Sequence, residues 1–188
     1  MKSNLKIAGL CGSLRDASIN RHALRTAGSL MPEGMRLEIA EFREVPMFDA
    51  DVLRQGLPAP VHALREALRH ADGVLIATPE YNFSIPGGLK NALDWISRGE
   101  DQPLAFKPVA ILSAAPGPVG GARMQYDLRK VLLFMNAQVL AKPEVFVTLA
   151  EKKFDAQGRC IDEGTREVIA AQMMAFHEWV GMVRAMNG

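Results

Sequence analysis

Leu5-Lys6-Ile7-Ala8-Gly9-Leu10-Cys11 runs directly into Gly12-Ser13-Leu14-Arg15-Asp16-Ala17-Ser18-Ile19-Asn20, and helical spacing follows. An apolar run closed by glycine and serine suits a strand buried on both faces. A strand, a loop of small residues and a helix start together aim unpaired backbone N–H groups at one point, where helix polarity adds partial positive charge. Gly12 permits a sharp bend, Ser13 and Ser18 offer hydroxyl donors, and Arg15 supplies a fixed cation shaped for phosphate oxygens. Gly9 to Asn20 therefore reads as a cradle for a terminal phosphate. The same letters also suit a plain helix start, with Ser18 as its cap and Arg15 on a solvated surface.

Working outward, Gly73 to Thr78 and Val109 to Ala114 are further short apolar runs ending at Pro or Ser punctuation. Leu37 to Phe42, which alternates, and Val139 to Val147, which Pro143 must interrupt or place at an edge, are weaker strand candidates. Between them, apolar residues recur at three and four: Val61, Leu64, Leu68; Leu89, Ala92, Leu93, Ile96; Met124, Leu128, Val131, Leu132, Met135. Each set buries one stripe of a helix. A closing helix from about Gly164 to Met186 places Ile169, Met173, Phe176, Val180 and Val183 on one face. Alternation of this kind predicts an α/β doubly wound sandwich of about five parallel strands with helices on both faces. No repeat or linker divides it, so residues 1–188 are expected to form one domain, with Arg43 to Pro60 its longest irregular stretch. Ligands in such a sheet bind beyond the carboxyl ends of the strands, near the point where strand order reverses.

Composition narrows the partners. Lys plus Arg number 22 against 21 Asp plus Glu, with no basic run, so nothing marks a nucleic-acid or anionic-membrane footprint. Two cysteines, Cys11 and Cys160, are too few for a disulfide framework and match no zinc or thioredoxin signature, which suits a reducing, cytoplasmic setting. Met1-Lys2-Ser3-Asn4 leads into an apolar run too short for a signal or a membrane span, so the chain is expected to be soluble and unprocessed.

Two more loops fall at the ligand end of the sheet. The second, Pro79-Glu80-Tyr81-Asn82-Phe83-Ser84-Ile85-Pro86-Gly87-Gly88, is stiffened by its prolines and carries aromatics suited to a flat ring, with Tyr81 and Phe83 flanking it and the Asn82 amide at its polar edge. A structural turn that packs both aromatics into the core fits equally. The third, Ser113-Ala114-Ala115-Pro116-Gly117-Pro118-Val119-Gly120-Gly121, allows close approach and further backbone donors, or is an ordinary glycine-rich connection. Neither Gly-x-x-x-x-Gly-Lys-Ser/Thr nor Gly-x-Gly-x-x-Gly occurs in the first turn, which argues against triphosphates and a conventional dinucleotide fold. His22, His62, His70 and His177 are scattered without metal-ligand spacing, and no nucleophile elbow is present.

On these residues the chain resembles the NADPH-dependent FMN reductase family, particularly its soluble quinone and chromate reductases, over nearly its full length. The resemblance is carried by Gly12-Ser13-Leu14-Arg15 with Ser18 and Asn20, by Pro79-Glu80-Tyr81-Asn82, by Gly120-Gly121-Ala122-Arg123, and most specifically by Pro86-Gly87-Gly88-Leu89-Lys90-Asn91-Ala92-Leu93-Asp94-Trp95. It implies a flavodoxin-like fold that binds FMN and takes electrons from NADPH or NADH. Gly12, Ser13, Leu14, Arg15, Ser18, Ile19 and Asn20 would form the cofactor's phosphate end, with the phosphate on Ser13, Arg15, Ser18 and Asn20. Its isoalloxazine would lie along Pro79, Glu80, Tyr81 and Asn82 beside Phe83, approached by Ser113, Ala114 and Gly117. Phe83 departs from the tyrosine that close relatives often carry.

The implied reaction passes hydride from NAD(P)H through bound FMN to quinones, flavins, azo compounds or metal oxyanions such as chromate, with no catalytic side chain required. A flavodoxin-type electron carrier or a flavin redox sensor uses the same fold; carriers are usually acidic, and this chain is near neutral. Arg123 and Tyr126 share a helix face that Glu144 can meet across an interface, and the family commonly forms dimers that pair into tetramers. A homodimer or homotetramer is therefore expected.

Overall fold

Strand β1 (Leu5–Cys11) sits inside a parallel sheet with β2 (Met35–Ile39) on one side and β3 (Gly73–Ala77) on the other. Outside β3 comes β4 (Pro108–Ala114), whose far edge carries β5 (Gln138–Val139) at Pro108 and Val109 and β6 (Val145–Val147) at Leu112 to Ala114. The order β2-β1-β3-β4-β5 reverses direction between β1 and β3, as in flavodoxin-like sheets. This is a computed structural model, and it describes residues 4–187. Met1 to Ser3, the run-in expected to be unprocessed, lie outside the described residues.

Successive residues of β1 point to opposite faces, which divides the core in two. Leu5, Ile7 and Cys11 pack with residues of α1 (Ile19–Ser29) and α6 (Glu163–Asn187), whereas Ala8 and Leu10 pack with α3 (Ala59–Arg69), α4 (Gly87–Ile96) and α5 (Ala122–Phe134). The expected α6 face is buried as read, from Ile169 through Val183. Helices thus cover both faces. Among the described residues no helix is long and apolar enough to cross a membrane.

Three details differ from the sequence reading. Strand β2 begins at Met35 and ends at Ile39, because Leu5 to Gly9 pair with Met35 to Ile39; Ala40 donates one last bond to Gly9 O, and Phe42 is buried beyond the strand. Val139 to Val147 splits into β5 and β6, since Pro143 has no N–H to give the ladder. The irregular stretch Arg43 to Pro60 holds a short helix, α2 (Ala50–Arg54), and is tied down by α4. Asn91 accepts from Phe48 N (2.7 Å) and donates to Pro46 O (2.8 Å), and Trp95 Nε1 donates to the same carbonyl (2.8 Å). Part of the most specific motif is therefore structural, fixing the helix that follows the second loop.

Candidate functional site

A cleft of about 240 Å³ opens beyond the carboxyl ends of β1, β3 and β4. The first loop contributes Ser13, Arg15, Ser18, Ile19 and Asn20, the second Pro79, Glu80 and Tyr81, and the third Ala114, Ala115 and Pro116. A neighbouring hollow shares Arg15 and Tyr81 and is lined by Gly12, Leu14 and Pro86 to Gly88. The expected loops converge, though not every expected residue faces the cleft.

Ser18 is the N-cap of α1: its Oγ accepts from Arg21 N at 3.3 Å. Capping and a place on the cleft wall are both true of it, because one hydroxyl can accept from the helix and still donate outward. Ser13 and Ser18 are buried, while Arg15 is exposed and, among the described residues, its guanidinium is in no ion pair. Arg43 braces the loop from outside, donating to Leu14 O and pairing with Asp16 at 3.0 Å.

Two first-loop residues also carry structural roles. The chain bends at Gly12 as expected, but its φ is not positive, so left-handed freedom is not what requires glycine there. Space is the reason: a Cβ would lie 2.0 Å from Thr78 Oγ1 and 2.4 Å from Thr78 Cβ. Asn20, expected to hold phosphate, lines the cleft, and both of its amide atoms also bond the sheet. Its Nδ2 donates to Ala114 O at 2.8 Å and its Oδ1 accepts from Ala114 N at 2.9 Å.

In the second loop Tyr81 and Ser84 exchange backbone bonds of 3.0 Å around Asn82 (φ 50°) and Phe83 (φ 69°), the geometry of a type I′ turn. Asparagine tolerates that region, but phenylalanine there is strained. The turn holds the ring outward: Phe83 is 66% exposed and Tyr81 46%, so neither is core. Arg123 lies over the Phe83 ring, 3.9 Å from its centroid, and pairs with Glu80 at 2.5 Å. Glu80 also accepts from Met124 N at 3.3 Å, an acid at the positive start of α5. Asn82 and Phe83 stand beside the cleft without lining it.

Ser113 departs most from expectation. Its fully buried hydroxyl donates to Gly120 O (2.6 Å) and accepts from Gln125 Nε2 (2.8 Å), so it folds the third loop rather than approaching a ligand. Gly117 likewise is not on the wall. Gly120 and Gly121 are left-handed, and a Cβ on Gly121 would meet Ser113 Cβ at 2.9 Å. Glu151, on the 3₁₀ turn Ala150–Lys152, lines the cleft and carried no motif in the sequence. The only signal for it is topological: β6 ends beside β4, so whatever follows β6 must reach the same end of the sheet.

Other reactive groups lie elsewhere. Burial pushes the Cys160 thiol up, away from thiolate chemistry, and none of the four histidines lines the cleft. Among the described residues no cluster of three or more His, Cys, Asp or Glu could hold a metal. Within the chain Glu144 pairs with Lys142 at 3.0 Å, and Arg123 is engaged by Glu80.

A family profile described as NADPH-dependent FMN reductase matches residues 5–152. The chain is 46% identical over 184 residues to an NAD(P)H-dependent FMN reductase of Pseudomonas aeruginosa, covering 98% of this chain and 100% of that one. It is also 46% identical over 187 residues to a quinone reductase of Escherichia coli, with the same coverage. A solved flavoenzyme NAD(P)H:(acceptor) oxidoreductase of Paracoccus denitrificans superposes with a TM-score of 0.87 at 30% identity, covering 95% of this chain and 98% of that chain.

Proposed function

The chain belongs to the NADPH-dependent FMN reductase family, and from that premise we propose that its cleft holds FMN and makes the protein an NAD(P)H-dependent quinone reductase. One observation carries the reading: three loops and the N-terminus of α1 converge on one cleft at the switch point of the sheet. The residues fit the cofactor's phosphate end. The first amides of α1, at Ile19 and Asn20, have no carbonyl acceptor within the helix, and Ser13, Ser18 and Arg15 add two hydroxyls and an unpaired cation beside them.

FMN held there would supply the two-electron hydride chemistry between NAD(P)H and an acceptor, chemistry that belongs to the cofactor. The chain's own part is to bind and polarise. Arg15 neutralises phosphate charge; Pro79 to Tyr81 and Ala114 to Pro116 form the walls for a planar ring and offer backbone donors where negative charge accumulates on reduction. In this reading no side chain acts as acid or base. Phe83, held outward by its turn and capped by Arg123, stands where an acceptor would enter and presents an apolar face suited to quinones. Free flavins, azo compounds and chromate are further acceptors of the same exposed ring.

Reconstitution is the first test: apoprotein mixed with FMN is expected to turn yellow, and anaerobic NADPH or NADH is expected to bleach it. A protein that stays colourless sinks the flavin reading. One that turns yellow but is bleached by neither donor is a carrier or sensor. Steady-state kcat/KM for a benzoquinone, free flavin, an azo dye and chromate then ranks the acceptors. Arg15→Ala is expected to weaken FMN binding by about 1–3 kcal/mol through loss of a charge-assisted contact, read by titration calorimetry; unaltered affinity removes Arg15 from the site. The same reading includes a homodimer or homotetramer in a reducing cytoplasmic setting, supported by the exposed Arg123 and Tyr126 and the two free cysteines. A monomer by light scattering at working concentration counts against the assembly.

A further inference from the structure

We propose that the chain carries a second anion site, apart from the flavin cleft, in which three arginines take the phosphate of a small organic phosphomonoester.

A hollow of about 520 Å³, within the range of small-ligand sites, lies between the later turns of α1, a hairpin at 154–160 and the first turn of α6, and it shares no residue with the flavin cleft. Each of the three elements brings one guanidinium to its lining: Arg25, Arg159 and Arg166. Arg25 is exposed and, among the described residues, in no ion pair, while Arg166 pairs loosely with Glu163 at 3.7 Å. Asp155 is the one acid in the lining, and the hairpin already uses it. Its carboxylate accepts from Gln157 N at 3.0 Å, Arg159 N at 2.8 Å and Arg159 Nε at 2.7 Å, which holds it below the ordinary aspartate range. Three cations against one engaged carboxylate leave the hollow positive. The carboxyl end of α1 adds about half a negative charge, too little to reverse that sign.

The backbone that carries these charges is fixed before a ligand arrives, so little order is lost on binding. Phe154 and Cys160 bridge the hairpin and share a buried cluster with Ala23, Leu24 and Ala27 of α1. Gly158, at φ 78°, sits so close to α1 that a Cβ would lie 2.1 Å from His22 Nδ1. Asp155 N donates to Arg159 O at 3.0 Å and Ile161 N to Lys153 O at 2.9 Å. Thr26, only 7% exposed, adds a hydroxyl donor to the lining. Guanidiniums from three directions suit a tetrahedral dianion, with oxygens on every side, better than a planar carboxylate that one guanidinium satisfies alone. Ile161, exposed at the same hollow, offers the organic part an apolar surface.

Titration calorimetry on the full chain, with adenosine monophosphate, inorganic phosphate and adenosine as probes, tests this. The monophosphate is expected to bind, inorganic phosphate to bind more weakly and adenosine not at all, with affinity falling as salt rises. Arg25→Gln and Arg166→Gln are each expected to weaken the monophosphate by about tenfold through loss of a charge-assisted contact. Both side chains reach solvent, so both variants are expected to melt with the wild type. Arg15→Ala, in the flavin cleft, is expected to leave monophosphate affinity as it is. Affinity unchanged in both arginine variants, loss of all binding in Arg15→Ala, or adenosine binding as tightly as its monophosphate overturns the proposal. So does a wild type that takes up neither anion, or one that takes up inorganic phosphate and excludes the ester.

Discussion

Gly12→Ala is expected to yield a protein that loses its yellow colour on purification, with FMN affinity down by about a hundredfold and folding stability down by about 3 kcal/mol. The added methyl would lie 2.0 Å from Thr78 Oγ1 and 2.4 Å from Thr78 Cβ, separations no pair of non-bonded atoms sustains. Thr78 is fully buried and follows β3 directly, with its amide bonded to Leu112 O, so it cannot swing aside. Gly12 N donates to Ala77 O at 2.8 Å, which anchors the first loop to the same strand end. Relief then requires the strand ends, and the two loops that leave them, to part. Titration calorimetry with FMN and urea unfolding measure the two effects. Because Gly12 has no left-handed φ, the cost is one of space, and Thr78→Gly in the same chain is expected to restore most of both losses. If that second change restores nothing, the clash is not the cause.

Gly12 also shows what kind of information the sequence carries. A glycine after a strand is visible in one dimension, but the residue that excludes its side chain, Thr78, follows another strand sixty-odd residues away. Strands β1, β3 and β4 were legible because each is buried on both faces and so reads as an unbroken apolar run. The α6 stripe was legible because a helix repeats its buried face every three to four residues. Edges were not. Strand β2 alternates in burial, and Ala40 and Phe42 continue its apolar pattern past the last pair with β1, Gly9 to Ile39, so the pattern runs three residues beyond the strand.

Within the site, legibility followed the same division. Loops that leave strands at the carboxyl end had to converge once the sheet was parallel, which is why residues from all three share one cleft. Which side chains face it is a matter of tertiary hydrogen bonds. The family resemblance implies that Ser113 approaches the ligand, yet Gln125 and Gly120 take its hydroxyl. Glu151 went unread because a single acid after a short edge strand has no pattern. Phe83 was read as ring-flanking or core; its two-residue turn with both φ positive decides against the core and holds it in solvent.

Asn20→Leu is the other substitution expected to have a large effect, and it separates a structural tie from a ligand. β3 ends at Ala77, which pairs with Leu112, and Thr78 N gives the last ladder bond to Leu112 O. Ala114, two residues further along β4, presents its N–H and C=O to that same side, where no strand remains. The Asn20 amide takes the missing strand's place with bonds of 2.8 and 2.9 Å, at a residue only 3% exposed. Leucine matches the shape and supplies neither group, leaving a buried donor and a buried acceptor unpaired, a loss of about 2–5 kcal/mol on urea unfolding. Since Ala114 and α1 both border the cleft, FMN affinity is expected to fall along with stability. Asn20→Asp adds a sign. Its carboxyl can donate to Ala114 O only when protonated, and burial also favours the neutral form, so its folded pKa is raised above about 3.9. The stability from that bond is complete below the unfolded value and is lost as pH rises through the folded one. A Leu variant that keeps wild-type stability while losing FMN would instead make Asn20 a phosphate ligand.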